Sequence, residues 1–265
     1  ILVSKVDMMM IGKLMDLKQV AYYTIAFFIG NVILVPARSI GSIISPLLAK
    51  AWENNDIREI DDIYKKSSIN QLLFGGLFFL VVWLNIDEGL SLLPDKFQGG
   101  KYVVLYISLS KLYSIATGVN SQIIINSRFY RFDLYSNIIL LGITIVSNYI
   151  LIPESSPLSE YDIVGINGAA FATALSIIIF NTFKMVFVKI KVGIQPFNLQ
   201  TIKAVALIFI TYYIVNIFPF SDNIFYAILS RSGLILLIFL PLTLLFHISE
   251  DINKIVVDIR KRLGN

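Results

Sequence analysis

Four cations read as intramembrane, Lys5, Arg38, Lys111 and Arg231, and Asp7 is the one carboxylate that reads so. A charge at mid-membrane depth costs on the order of a few kcal/mol, so a side chain kept there is a candidate for work other than packing. In a medium of low dielectric, four cations against one carboxylate favour anions such as a diphosphate or an acidic sugar. Arg38 is the deepest. Twelve residues, about 18 Å of helix, separate it from Lys50, too far to snorkel comfortably. Asn31, Arg38 and Ser45 recur every seven residues and so predict one polar helix face. Pro36, with Gly41 and Pro46 beyond it, predicts a hinge beside that face. The face then reads as a cavity wall, the plainer alternative being an arginine paired within a bundle to fix packing. Lys111 shares a comparable face with Ser114, Gly118, Ser121 and Gln122, where cavity lining and helix packing are equally good readings. Lys5 and Arg231 are shallower and within snorkelling reach of an interface. Asp7 either pairs with Arg38 or binds Na⁺ or a proton for coupling; Lys5, two residues away, points to a different face.

The composition says what surrounds these groups. Apolar residues make up 56% of the 265 and charged residues 15%, with a mean hydropathy of +0.75. Soluble domains carry about 25% charge, so lipid must cover most of this chain. There is no cysteine and only one histidine, His247, which removes thiolate chemistry and Cys- or His-built metal sites and leaves no expected cofactor. A formal net charge of +4 makes no case for nucleic acid.

Eight apolar runs approach the length needed to cross about 30 Å of hydrocarbon: residues 1–15, 20–49, 68–93, 102–126, 134–152, 164–188, 202–218 and 224–248. They are far longer than the strands of a membrane barrel, so the expected fold class is all-α, a polytopic helical bundle of about eight spans. Lys and Arg crowd alternate connections and the basic tail, at Lys50, Arg58, Lys65, Lys66, Arg128, Arg131, Lys184, Lys189, Lys191 and Lys203, then Lys254, Arg260, Lys261 and Arg262. The positive-inside rule puts those connections and the C-terminus in the cytoplasm, and the tail residues against anionic headgroups. The first run is short and opens on Ile1 rather than Met, which predicts the C-terminal part of a longer protein. Residues 52–66 read as a separate charged amphipathic helix. A linker containing Gly193 and Pro196 divides a six-span unit, 1–190, from a two-span hairpin with a basic tail, 191–265. Gly165, Gly168 and Ala172 predict close helix packing, and Tyr22, Tyr102 and Tyr130 an interfacial belt.

Several stretches, in order, carry a family resemblance: VDMMMIG (6–12), VAYYTIA (20–26), ISPLLAK (44–50), the acidic NDIREIDDIYKK, LLPDKFQGG (92–100), SNYILIP (147–153) and VGINGAAFATALS (164–176). Together they resemble the C-terminal lobe of Wzx-type polysaccharide flippases, in the multidrug/oligosaccharidyl-lipid/polysaccharide (MOP) exporter superfamily. The resemblance covers about residues 1–191; the 154–162 connection is longer than is usual there. It implies a two-lobed, alternating-access transporter in the bacterial cytoplasmic (inner) membrane, with the N-terminal lobe upstream. It also implies an undecaprenyl-diphosphate-linked oligosaccharide as substrate, membrane lipids and polysaccharide-assembly proteins as partners, and no catalysis. A multidrug antiporter of the same superfamily is the near alternative, and would want more intramembrane carboxylate than Asp7. A membrane-embedded polymerase or acyltransferase lacks the acid, base or nucleophile it would need; a scaffold subunit of an envelope complex is a third alternative.

Overall fold

A computed structural model gives the fold and describes the backbone of residues 2–263. The side chains of 1–4, 255, 257 and 259–265 lie outside the described residues, and with them the expected headgroup contacts of Arg260, Lys261 and Arg262. The described residues form twelve α-helices and no strand. These are α1 (Leu2–Leu14), α2 (Leu17–Asn31), α3 (Leu34–Glu53), α4 (Ile57–Leu84), α5 (Ile86–Ser91) and α6 (Lys101–Ala116). After them come α7 (Asn120–Ile125), α8 (Tyr130–Leu151), α9 (Gly165–Val192), α10 (Leu199–Ile217), α11 (Ile224–Leu245) and α12 (Glu250–Leu263). The fold is an all-α polytopic membrane bundle.

Five helices, α4, α8, α9, α10 and α11, are long and apolar enough to cross a membrane, and the α2–α3 pair, bent by 55°, makes a sixth. Two of the eight expected runs fall short by that measure. The first forms α1, whose 13 residues give about 20 Å at 1.5 Å per residue. The run at 102–126 breaks after Ala116 into α6 and the six-residue α7. The separate amphipathic helix expected at 52–66 is not separate either. Asp56 caps the amide of Glu59 at 3.0 Å, and from there one helix of 28 residues runs unbroken to Leu84. Its charged first half is held on itself by the Asp61–Lys65 and Asp62–Lys66 pairs one turn apart.

Local sequence explains the other ends. Asp16 accepts from the amide of Gln19 to start α2, and Asn198 and Thr201 form a reciprocal capping box at the start of α10. Gly193, at φ +83, closes α9 in the left-handed conformation that other residues resist. The densest contacts join α6 and α8 to α9, α2 to α6, and α3 and α6 to α4, while α10 and α11 lie on the flank of α4. At Gly168 the α9 backbone comes so close to α8 that a methyl group there would sit 1.9 Å from the Leu151 carbonyl oxygen.

Candidate polar cavity and buried charge clusters

Two interrupted apolar runs frame one cavity. The first interruption is at Val32 and Ile33, where single turns join α2 to α3. Pro36 lies in the first turn of α3, a position that needs no amide donor. The second is at Thr117 to Val119, where Gly118 takes φ +69. There the Ser68 hydroxyl donates to the carbonyl of Ala116 at 2.5 Å and Thr117 to that of Ser114 at 2.8 Å, so the broken helix keeps partners for its freed acceptors. Irregular backbone at membrane depth is tolerated where it is packed in protein or lines a cavity.

That cavity has a volume of about 450 Å³. Arg38 contributes the charge, with Gln71 of α4, Ser114 of α6, Asn120 and Gln122 of α7, and Asn181 of α9 around it. Arg38 is exposed to this space, and Asn120, only 2% exposed, leaves its amide nitrogen without a hydrogen-bond partner. One cation ringed by neutral amides and hydroxyls suits an anionic or hydroxyl-rich group.

The sequence-derived site residues do not all gather here. Ser114, Gly118, Ser121 and Gln122 do line the cavity, although the break puts the last two on α7 rather than on the helix of Lys111. Lys111, half-buried, sits 5.9 Å from the Phe27 ring centroid, near enough to both Asp7 and Arg38 to feel each charge. The seven-residue stripe does not survive. Asn31 ends α2 before the bend and donates back to the carbonyl of Phe27, while Arg38 and Ser45 follow the bend on α3, so helical periodicity cannot be counted across it. Ser45 is half-buried and Lys5 exposed.

Arg231 is elsewhere, at the far end of α4. Its guanidinium bonds the last carbonyl of that helix, Leu84, at 2.6 Å, pairs with Glu88 of α5 at 2.7 Å and covers the ring of Phe220. The guanidinium in turn holds the Glu88 carboxyl below its ordinary range. Arg231 therefore joins α11 to α4 and α5 and does not face the Arg38 cavity.

Asp7 is fully buried and forms no ion pair with Arg38. Tyr23 of α2 donates to it at 2.9 Å, Asn148 of α8 at 2.7 Å and Thr173 of α9 at 2.8 Å. Neutral donors from three other helices stand where an ion pair with Arg38 was one of the expectations, while Arg38, beyond the α2–α3 bend, lines its cavity. Asn148 keeps a buried carbonyl oxygen without a donor beside the carboxylate.

One charged pair was missed. Lys184, assigned from sequence to a basic connection, is 1% exposed on α9. Its ammonium bonds Asp133 of α8 and, at 2.9 Å, the Ser121 hydroxyl of α7, and lies 4.1 Å from the Phe180 ring centroid. The available signal was its place inside the 164–188 run, three residues after Asn181. Ser121 also lines the Arg38 cavity, so this pair stands directly behind the cavity wall.

Comparison with known proteins places the chain by its first helices. A family model, MatE, matches residues 1–150, from α1 to the end of α8. No curated protein and no solved structure matches. The match spans more than half the chain and takes in the helices that supply the Arg38 cavity with all its lining except Asn181 of α9, together with two of the three donors to Asp7. The chain belongs to the MatE family and is a multi-pass membrane transporter of the MOP exporter superfamily.

Proposed function

We propose that the chain forms a lobe of a flippase that moves an undecaprenyl-diphosphate-linked oligosaccharide from the cytoplasmic to the periplasmic leaflet, by alternating access against a second lobe. The observation that carries this reading is the pairing of two unlike sites across the α4–α6 seam. On one side lies the Arg38 cavity with its ring of amides and hydroxyls. On the other, Leu72, Phe79 and Trp83 of α4, Leu109 and Leu112 of α6 and Ile208 of α10 line an apolar groove of about 390 Å³. A lipid carrying an anionic, hydroxyl-rich head needs both environments next to each other: a cation and amides for the head, a dry surface for the chain. In this reading Arg38 and Lys111 attract the diphosphate, Pro36 and the α2–α3 bend serve as a hinge, and Asp7 binds the coupling ion. The basic end of the bundle faces the cytoplasm, and 191–265 is an additional two-span hairpin with a basic cytoplasmic tail.

A second reading, a multidrug antiporter, is favoured by Asp7, a fully buried carboxylate of the kind that carries a proton or sodium ion through a transport cycle. The two are separated by the leaflet distribution of lipid-linked glycan in cells whose full-length protein is Arg38→Ala at normal membrane levels. Retention of completed repeats on the cytoplasmic face supports the flippase. Repeats that reach the periplasm at the normal rate refute it.

A further inference from the structure

The last helix has no part in either cavity. Between α11 and α12 the chain turns at His247, held at φ +47, and Ile248 is buried beneath the turn. One side chain of α4 then clips the start of α12. Asn70 accepts from the Ser249 hydroxyl at 2.6 Å and donates to the Asp251 carboxylate at 2.7 Å. The acidic residues of the first turn, Glu250 and Asp251, also lie close to Lys66 of α4.

Beyond the clip the helix is two-faced. Ile252 and Val256 lie over an apolar cavity of about 200 Å³ shared with Phe74 and Leu77 of α4 and Leu240 and Leu244 of α11. Val256 is 40% exposed, and its apolar surface continues that of the exposed Phe74, Leu240 and Leu245 on helices that cross the membrane. Lys254 and Asp258 are exposed away from it. After the clipped first turn the sequence of α12 holds Lys254, Arg260, Lys261 and Arg262 against one carboxylate, Asp258. An amphipathic helix with a cation-rich sequence, tied to the rim of a lipid-facing belt, has the chemistry of an interfacial helix.

We propose that α12 is a membrane-surface arm whose partner is the anionic headgroup layer of the bilayer that the chain spans. The apolar side extends the lipid-facing belt into the interface, and the cations hold the helix to anionic lipid at roughly fivefold in partition per basic residue.

These 265 residues hold no cysteine, so Val256→Cys gives a single site-specific probe in the reconstituted full-length protein once any cysteine outside them is replaced. An environment-sensitive fluorophore at that position is compared in vesicles of phosphatidylcholine alone and of phosphatidylcholine mixed with phosphatidylglycerol. Amide exchange over 250–263 is followed in parallel on the protein without the label. The expected result is a buried probe and slowed exchange in the anionic vesicles only, reversed by salt and by the combined Lys254→Gln, Arg260→Gln, Lys261→Gln and Arg262→Gln variant. The salt titration needs no charge variant, and exchange in α4 reports that the bundle is folded throughout. Probe burial and exchange that are the same in both lipids, whether the arm is free or covered by protein, overturn the proposal.

Discussion

Gly168→Ala offers a test of how closely α8 and α9 are locked. The added methyl carbon would lie 1.9 Å from the Leu151 carbonyl oxygen, 2.7 Å from its carbon and 3.4 Å from the Ile152 nitrogen, all backbone atoms that no rotamer change can move aside. Restoring ordinary contact requires roughly 1.5 Å of helix separation. That displacement acts on the elements that carry Asn148 and Thr173, whose bonds to Asp7 at 2.7 and 2.8 Å do not survive an extra ångström. Overpacking of this kind costs about 1–3 kcal/mol, and backbone contact places it at the upper end. At about 2–4 °C per kcal/mol for a chain of this size, the melting temperature should fall by roughly 4–10 °C. The control is Gly142→Ala on α8, where nothing lies within 4 Å and replacing a helical glycine should gain about 0.5–1 kcal/mol. Thermal unfolding of the two variants in one detergent measures the difference. A Gly168→Ala protein that melts at or above Gly142→Ala would falsify the close-packing account.

The Lys184–Asp133 pair should behave as a buried pair does: Lys184→Met or Asp133→Leu alone should cost about 3–5 kcal/mol, and the double variant should recover most of it. Chemical denaturation of all four proteins checks this, and additive losses would mean that the charges do not interact. At the other end of the bundle, Glu88 is held below its ordinary value of 4.5 by its hydrogen bond from Arg231. A depressed carboxyl stabilises the fold fully above its unfolded value and ceases to do so as the pH falls through the folded one. The stability advantage of the native protein over Glu88→Gln should therefore be constant above about pH 5 and shrink steadily below pH 4.5. Unfolding midpoints across that window decide it, and a gap that widens toward acid would reverse the assignment.

The fold class and the helix positions were legible because runs of apolar residues are themselves the cause of membrane helices. Their interruptions were less so. Pro36 marks the neighbourhood of the first bend, but the break itself falls at Val32 and Ile33, residues with no breaking tendency in their own right. Only Gly118 hints at the second. Each break carries the polar residues after it onto a new axis, which is why Arg38 and Gln122 meet at one cavity while Asn31 is left behind. Lys184 shows the opposite failure. Residue type alone assigned it to a basic connection, whereas its burial depends on Asp133, 51 positions earlier and visible only once α8 and α9 pack. Arg231 was read from its position in the run as within snorkelling reach of an interface, whereas its acceptor is a carbonyl at the end of another helix, which no spacing rule reveals.

The Asp7 cluster also sets a timetable for synthesis. Tyr23 is made 16 residues after Asp7, but Asn148 comes 141 residues later and Thr173 166 later. At about 5–20 residues per second, α1 waits on the order of ten seconds or more for its last two donors. Over that interval a carboxylate sits in a half-built helix bundle with one partner. The charge must be shielded meanwhile by the insertion machinery, by water or by a proton. Although made before α8 and α9, α1 is therefore held back until they arrive, and slowing synthesis of α8 and α9 should lengthen the period in which the nascent chain is open to quality-control proteases.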